Sequence, residues 1–152
     1  MEIKIFIDEE ELKKLGIKRE DVKLPVIAHR GDAGIDFFAP YDVEIPPRGD
    51  ALISTGMRVQ IPEGTVLIAF NRSSMALKGI IKGAQVVDSS YRGILKIHLI
   101  NLRDKPYRIK KGDKIIQFVL LPYFSPAIRE VSSEEFDWGS ERGEGGFGST
   151  GE

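Results

Sequence analysis

The chain has 152 residues, of which 41% are hydrophobic and 30% charged, and its formal net charge is -1. Those values fit one soluble domain, residues 1–152, with a substantial core, and they exclude an electrostatic grip on duplex nucleic acid or anionic membrane. The absence of cysteine excludes disulfides and thiolate metal sites.

Taken in chain order, Ile3, Ile5 and Ile7 alternate as an edge strand does, and Glu9 to Leu15 is rich in helix formers and stops at Gly16. Met57, Val59 and Ile61 alternate next, and Pro62-Glu63-Gly64 turns the chain into a strand over Thr65–Phe70. A short helix is predicted over Ser74–Lys78, with Ser73 able to cap it and Gly79 able to end it. Further strands are expected over Ile94–Ile100, Tyr107–Ile109 and Lys114–Leu121, separated by Arg103-Asp104-Lys105-Pro106 and Lys111-Gly112-Asp113. Short strands at this spacing predict an all-β barrel or sandwich with one short central helix. The barrel is expected over about 1–131, and a mobile glycine-rich tail over about 132–152. No apolar run approaches a membrane span and Met1-Glu2-Ile3-Lys4 lacks a signal-peptide pattern, so a cytoplasmic protein is expected.

Several short stretches carry chemistry. Arg72-Ser73-Ser74 lies where a strand meets the helix, a place suited to anions, although the same residues would serve as an ordinary cap. Val87-Asp88-Ser89-Ser90-Tyr91-Arg92-Gly93 reads as a hairpin with one carboxylate close to an aromatic ring. Asp32-Ala33-Gly34-Ile35-Asp36 and Gly112-Asp113-Lys114-Ile115-Ile116-Gln117 read as polar turns feeding strands. In the tail, Arg142, Phe147, Gly148, Ser149 and Thr150 combine a cation, a lone ring and two hydroxyls on a glycine-rich backbone, as a lid over a nucleotide would. The glycine pattern from Gly143 to Gly148 mimics a dinucleotide fingerprint, but no chain follows to form the helix that such a motif must open. His29 and His98 cannot build a multi-histidine centre, so any metal is expected to be a hard ion held by oxygens.

In this order, the five motifs from Ala33 to Gly151 resemble those of the trimeric dUTP diphosphatases. The resemblance implies a distorted β-barrel of jelly-roll type, assembled as a homotrimer with active sites between subunits, that hydrolyses dUTP to dUMP and diphosphate with Mg2+. It implies Asp88 as the general base for a water attacking the α-phosphorus, and Tyr91 beneath the deoxyribose, leaving no room for a 2′-hydroxyl. Main-chain groups around Val86 and Val87 would read the uracil edge. Arg72, Ser73 and Ser74 would hold phosphate oxygens, with Gln117 near the α-phosphate and Lys96 at a position that contacts phosphate in some members. Asp36 would meet magnesium through water, Phe147 would stack on uracil, and Arg142, Ser149 and Thr150 would close over the γ-phosphate.

Four positions depart from the family pattern: Asn71 for a proline, Gln85 for a glycine, Ser90 for an acid and Ile94 for a polar residue. The related deoxycytidine triphosphate deaminases carry a glutamate where this chain has His98, and their hairpin usually lacks Tyr91-Arg92-Gly93. A binding module on the same scaffold, without catalysis, is the other alternative.

Overall fold

Edge strand β1 (Lys4–Ile7) opens a computed structural model that describes residues 1–148. Its outward Lys4 and Phe6 alternate with half-buried Ile5 and Ile7, as a strand at the rim of a core requires. Helix α1 (Glu9–Leu15) follows directly. Asp8 Oδ1 caps it by accepting from the Glu11 amide at 3.1 Å, and Gly16 ends it at a φ of 67°. The other Asp8 oxygen accepts from Arg58 Nε at 2.7 Å, and that hydrogen bond holds the carboxyl below its ordinary pKa.

The remaining strands are β2 (Ile35–Phe38), β3 (Val43–Ile45), β4 (Asp50–Gln60), β5 (Thr65–Phe70), β6 (Ile80–Lys82), β7 (Val86–Asp88), β8 (Ile94–Asn101), β9 (Tyr107–Ile109) and β10 (Lys114–Pro122). Between β5 and β6 lies the short helix α2 (Ser73–Leu77). Two four-stranded antiparallel sheets, ordered β1-β4-β8-β6 and β2-β10-β5-β7, face each other, and β3 and β9 form a separate two-stranded ribbon. The all-β architecture expected from the strand spacing is present, in the jelly-roll-like form that the resemblance implies. Period-two alternation places Leu67, Leu95, Leu99, Ile116 and Phe118 in the buried core, where Phe37 meets Phe118 edge to face with ring centroids 5.0 Å apart.

Helix α2 starts one residue earlier than predicted. Arg72, in extended conformation, precedes its first turn, so Ser73 does not cap it and its hydroxyl remains outside the helix's own hydrogen bonding. Gly79 ends the helix as expected, at a φ of 79°. Strands β2, β3 and β6 carry too few alternating residues to stand out in the sequence.

Asn101, fully buried at the end of β8, ties the end of β3 and the loop after it to the loop between β8 and β9. Its Nδ2 donates to the carbonyls of Ile45, Pro46 and Lys105 at 3.2, 3.2 and 2.8 Å, and its Oδ1 accepts from the Arg103 amide at 2.9 Å. Asn101→Ala is expected to lower the free energy of unfolding by about 2–4 kcal/mol, read by urea denaturation, because several buried main-chain groups lose their partner at once.

Candidate active site

The C-terminal end of β5 meets α2 beside β2 and β10, and five sequence-predicted residues, Asp36, Arg72, Ser73, Ser74 and Gln117, converge there. Asp36 on β2 pairs with Gln117 on β10, and Gln117 pairs with Phe70 on β5. The Asp36 carboxylate lies between two cations, with Arg72 Nε 3.7 Å from Oδ1 and Lys114 Nζ 3.0 Å from Oδ2. Arg72 is held further by donating from Nη1 to the Lys114 carbonyl at 3.1 Å. Two cations against one carboxylate leave this trio with one net positive charge. The Ser73 and Ser74 amides lie in the helix's first turn, where no intrahelical acceptor exists, and both residues are exposed. A cavity of about 760 Å³, lined by Asp32, Gly34, Asp36, Phe70, Asn71 and Gln117 among others, opens beside the corner.

The second half of the site is a hairpin whose two arms part. From Ile80 to Lys82 the first arm pairs with β8, opposite Asn101, Ile100 and Leu99, and the Gly83 amide still reaches the His98 carbonyl at 2.8 Å. Beyond Gly83 the arm turns to β5 instead. The Ala69 amide donates to the Gln85 carbonyl at 2.8 Å, and Val86, Val87 and Asp88 pair with Ile68, Leu67 and Val66. Among the described residues, no backbone hydrogen bond joins 84–88 to 94–97. The arms rejoin at the turn, where the Tyr91 amide donates to the Asp88 carbonyl at 3.1 Å. The result is a slot with unpaired main-chain groups along its walls, and continuing the β6–β8 register places Gln85 across it from Lys96. Tyr91 closes the turn end: its hydroxyl donates to the Ile94 carbonyl at 2.9 Å, and a Cβ on Gly93 would lie 2.3 Å from that hydroxyl. Only glycine fits beneath the ring. Exposed Asp88 stands at the start of this turn, and the exposed side chain of Lys96 projects from the other sheet, opposite Ser54.

The two halves do not meet within one chain. Val66, opposite Asp88, and Phe70, opposite Gln117, are four positions apart on β5, and two strand spacings separate β7 from β10. Asp88 is therefore roughly 16 Å from Gln117 by strand rise and spacing. The segment after Pro122 is largely exposed; Arg142 Nε donates to the Gly145 carbonyl at 2.6 Å, and the Phe147 side chain is fully exposed. Gly148 has a φ of 83°, and Ser149 and Thr150 lie outside the described residues.

Sequence reasoning missed Lys114 as a partner of Asp36, although it sits inside a motif already singled out. It also missed why Gly34 is a glycine. A Cβ there would lie 2.3 Å from Gln117 Oε1, so bare backbone is what lets the amide swing to donate from Nε2 to the Asn71 carbonyl at 3.0 Å. Gly34→Ala is expected to displace the Gln117 amide from the Asn71 carbonyl and to destabilise the protein by about 0.5–1.5 kcal/mol, the size of one hydrogen bond, measured by urea unfolding.

The dUTPase family model matches residues 20–151. A deoxyuridine 5'-triphosphate nucleotidohydrolase of Clostridium tetani is 42% identical over 143 residues, covering 91% of this chain and 95% of that protein. One from Candida albicans is 41% identical over 139 residues, covering 91% and 87%. Among solved structures, the dUTPase of Staphylococcus bacteriophage 80alpha with dUpNHpp superposes with a TM-score of 0.82 at 29% identity, covering 99% of this chain and 98% of that one. Relatives from a bacterium, a yeast and a phage thus agree over nearly its whole length, and the chain belongs to the dUTPase family.

Proposed function

We propose that this chain hydrolyses dUTP to dUMP and diphosphate in sites completed between the subunits of a homotrimer. The observation that carries the reading is the parted hairpin, a slot of unpaired main-chain groups with a tyrosine ring and a carboxylate at its turn. A planar base enters such a slot edge first, and main-chain donors and acceptors around Val86 and Val87 read uracil there. Tyr91 lies beneath the deoxyribose and excludes a 2′-hydroxyl. The roughly 16 Å between Asp88 and Gln117 supports assembly, because the hairpin of one subunit can then face the positive corner of another.

In that arrangement Arg72, the Ser73 hydroxyl and the Ser74 amide hold phosphate oxygens, with Gln117 at the α-phosphate. Asp88 takes a proton from a water whose oxygen attacks the α-phosphorus. The bond from that phosphorus to the bridging oxygen breaks, and diphosphate leaves. Phosphoryl transfer asks the protein mainly for positioning and charge stabilisation, which the corner's cations provide. Among the described residues, no three His, Asp or Glu side chains group to hold a metal, and both Asp36 oxygens already face cations. Magnesium would therefore be carried by the substrate phosphates, and Asp36 would be the residue that holds it, through water and while shared with Arg72 and Lys114. When bound, it neutralises charge on the triphosphate. The tail brings Phe147 over the base and Arg142, Ser149 and Thr150 over the γ-phosphate, and Lys96 adds positive charge beside the slot. No helix among the described residues is long and apolar enough to cross a membrane.

In ¹⁸O-labelled water the label is expected in dUMP, and Asp88→Asn is expected to lower turnover by about 10²–10⁴; label in diphosphate instead would refute attack at the α-phosphorus. Mixing Asp88→Asn trimers with trimers truncated after Glu141 should restore activity under subunit exchange, because each site draws its base and its tail from different chains. Chromatographic assay of dUMP measures the recovery, and none despite demonstrated exchange would contradict shared sites.

A further inference from the structure

Two of the departures from the family pattern, Asn71 and Gln85, are linked in space through a third residue, Lys82. The Lys82 amide donates to Asn71 Oδ1 at 2.7 Å, and its ammonium donates to Gln85 Oε1 at 2.5 Å. Lys82 pairs with Leu99, and Gln85 meets Ala69 through its carbonyl. Leu99 and Ala69 are both buried between the sheets. Side chains opposite one another in antiparallel strands share a face, so Lys82 and Gln85 both leave the core-facing side of their strands, and their hydrogen bond lies at the exposed rim of that face, at the end of the slot away from the turn.

An ammonium group can only donate. It therefore fixes the Gln85 amide with its oxygen toward Lys82, which leaves the NH2 as the group offered to a ligand. Among the described residues that NH2 has no acceptor. We propose that Gln85 is a specificity-determining residue whose side-chain NH2 donates to O4 of the uracil ring, and that Lys82 locks it as a donor. O4 lies across the ring from the glycosidic nitrogen, so it is the carbonyl that travels deepest into the slot. Cytosine carries an amino group at that position. Two donors would then meet, and the amide cannot turn over to accept without breaking its hydrogen bond to Lys82. The asparagine amide, by holding the Lys82 main chain, sets the reach of the lysine side chain.

This inference rests on the reading of the slot as a uracil site, and the test separates the two. Rates on dUTP and dCTP, and calorimetric affinities for dUMP and dCMP, are measured for the parent chain and for Gln85→Gly, Gln85→Glu and Lys82→Met. Gln85→Glu keeps the link to Lys82 but has no NH2. It is expected to reduce the preference for dUMP over dCMP about tenfold, the size of one lost hydrogen bond. Lys82→Met should raise affinity for dCMP while lowering it for dUMP, because the released amide can present its oxygen to the amino group. A purely structural role would weaken both ligands together. Preferences unchanged within about twofold in both Gln85 variants, with dUTP hydrolysis intact, would overturn the proposal alone. A parent chain that releases no dUMP from dUTP would overturn the reading beneath it. Gln85→Glu is nearly isosteric and on the surface, so it supplies an answer even if the glycine variant folds poorly.

Discussion

A β-strand has two edges, and the stretch from Ile80 to Asp88 divides its length between different neighbours. Its first part is bonded to β8, and its last part leaves that partner for β5. An ordinary hairpin would saturate its inner edges and present only side chains to a ligand. Here the exchange of partners keeps one edge of each arm unbonded while Tyr91 and Asp88 hold the tip together. The unpaired amides and carbonyls can tolerate that state because they are near solvent, whereas in a closed core they would be costly. The slot is thus a consequence of β5 outcompeting β8 for three residues.

The positive corner follows from a different economy of charge. A lone arginine at the strand-to-helix turn would sample many rotamers. Asp36 and the Lys114 carbonyl hold Arg72 from two sides, and Lys114 restores the positive charge that Asp36 removes. The guanidinium and ammonium are therefore fixed in place before any anion arrives, and the ordering entropy of long cationic side chains is spent during folding rather than during binding.

Strands with strong alternation were legible in the sequence, and so were the two glycine-terminated helices, because these signals are local. Strands β3 and β6, of three residues each, carry no periodicity of their own and exist only because β9 and β8 offer them edges. The five motifs were legible as motifs, yet their division into two groups was not. That division depends on the register of β7 against β5, a pairing across roughly 20 residues of chain with no composition signal. Asn71 and Gln85 looked like isolated departures for the same reason: Lys82, the residue that joins them, has no meaning until β6 and β7 are placed side by side. Ser73 shows the opposite error, since a capping serine is the commoner outcome and the extended Arg72 displaced it by one position.

The chain's single tryptophan, Trp138, lies beyond the last strand, two-thirds exposed, with Phe136 edge-on at 5.0 Å and its indole nitrogen donating to the Ser133 carbonyl at 2.8 Å. The two sheets contain phenylalanine, and Tyr41 and Tyr107 pack against their core, but neither holds an indole. Intrinsic emission excited at the red edge consequently belongs to the C-terminal segment and not to the sheets. A thermal melt followed by that signal reports when the segment changes its surroundings, while the cooperative loss of the sheets must be followed in the far ultraviolet. The molecule carries its own optical label on the stretch of chain that follows β10.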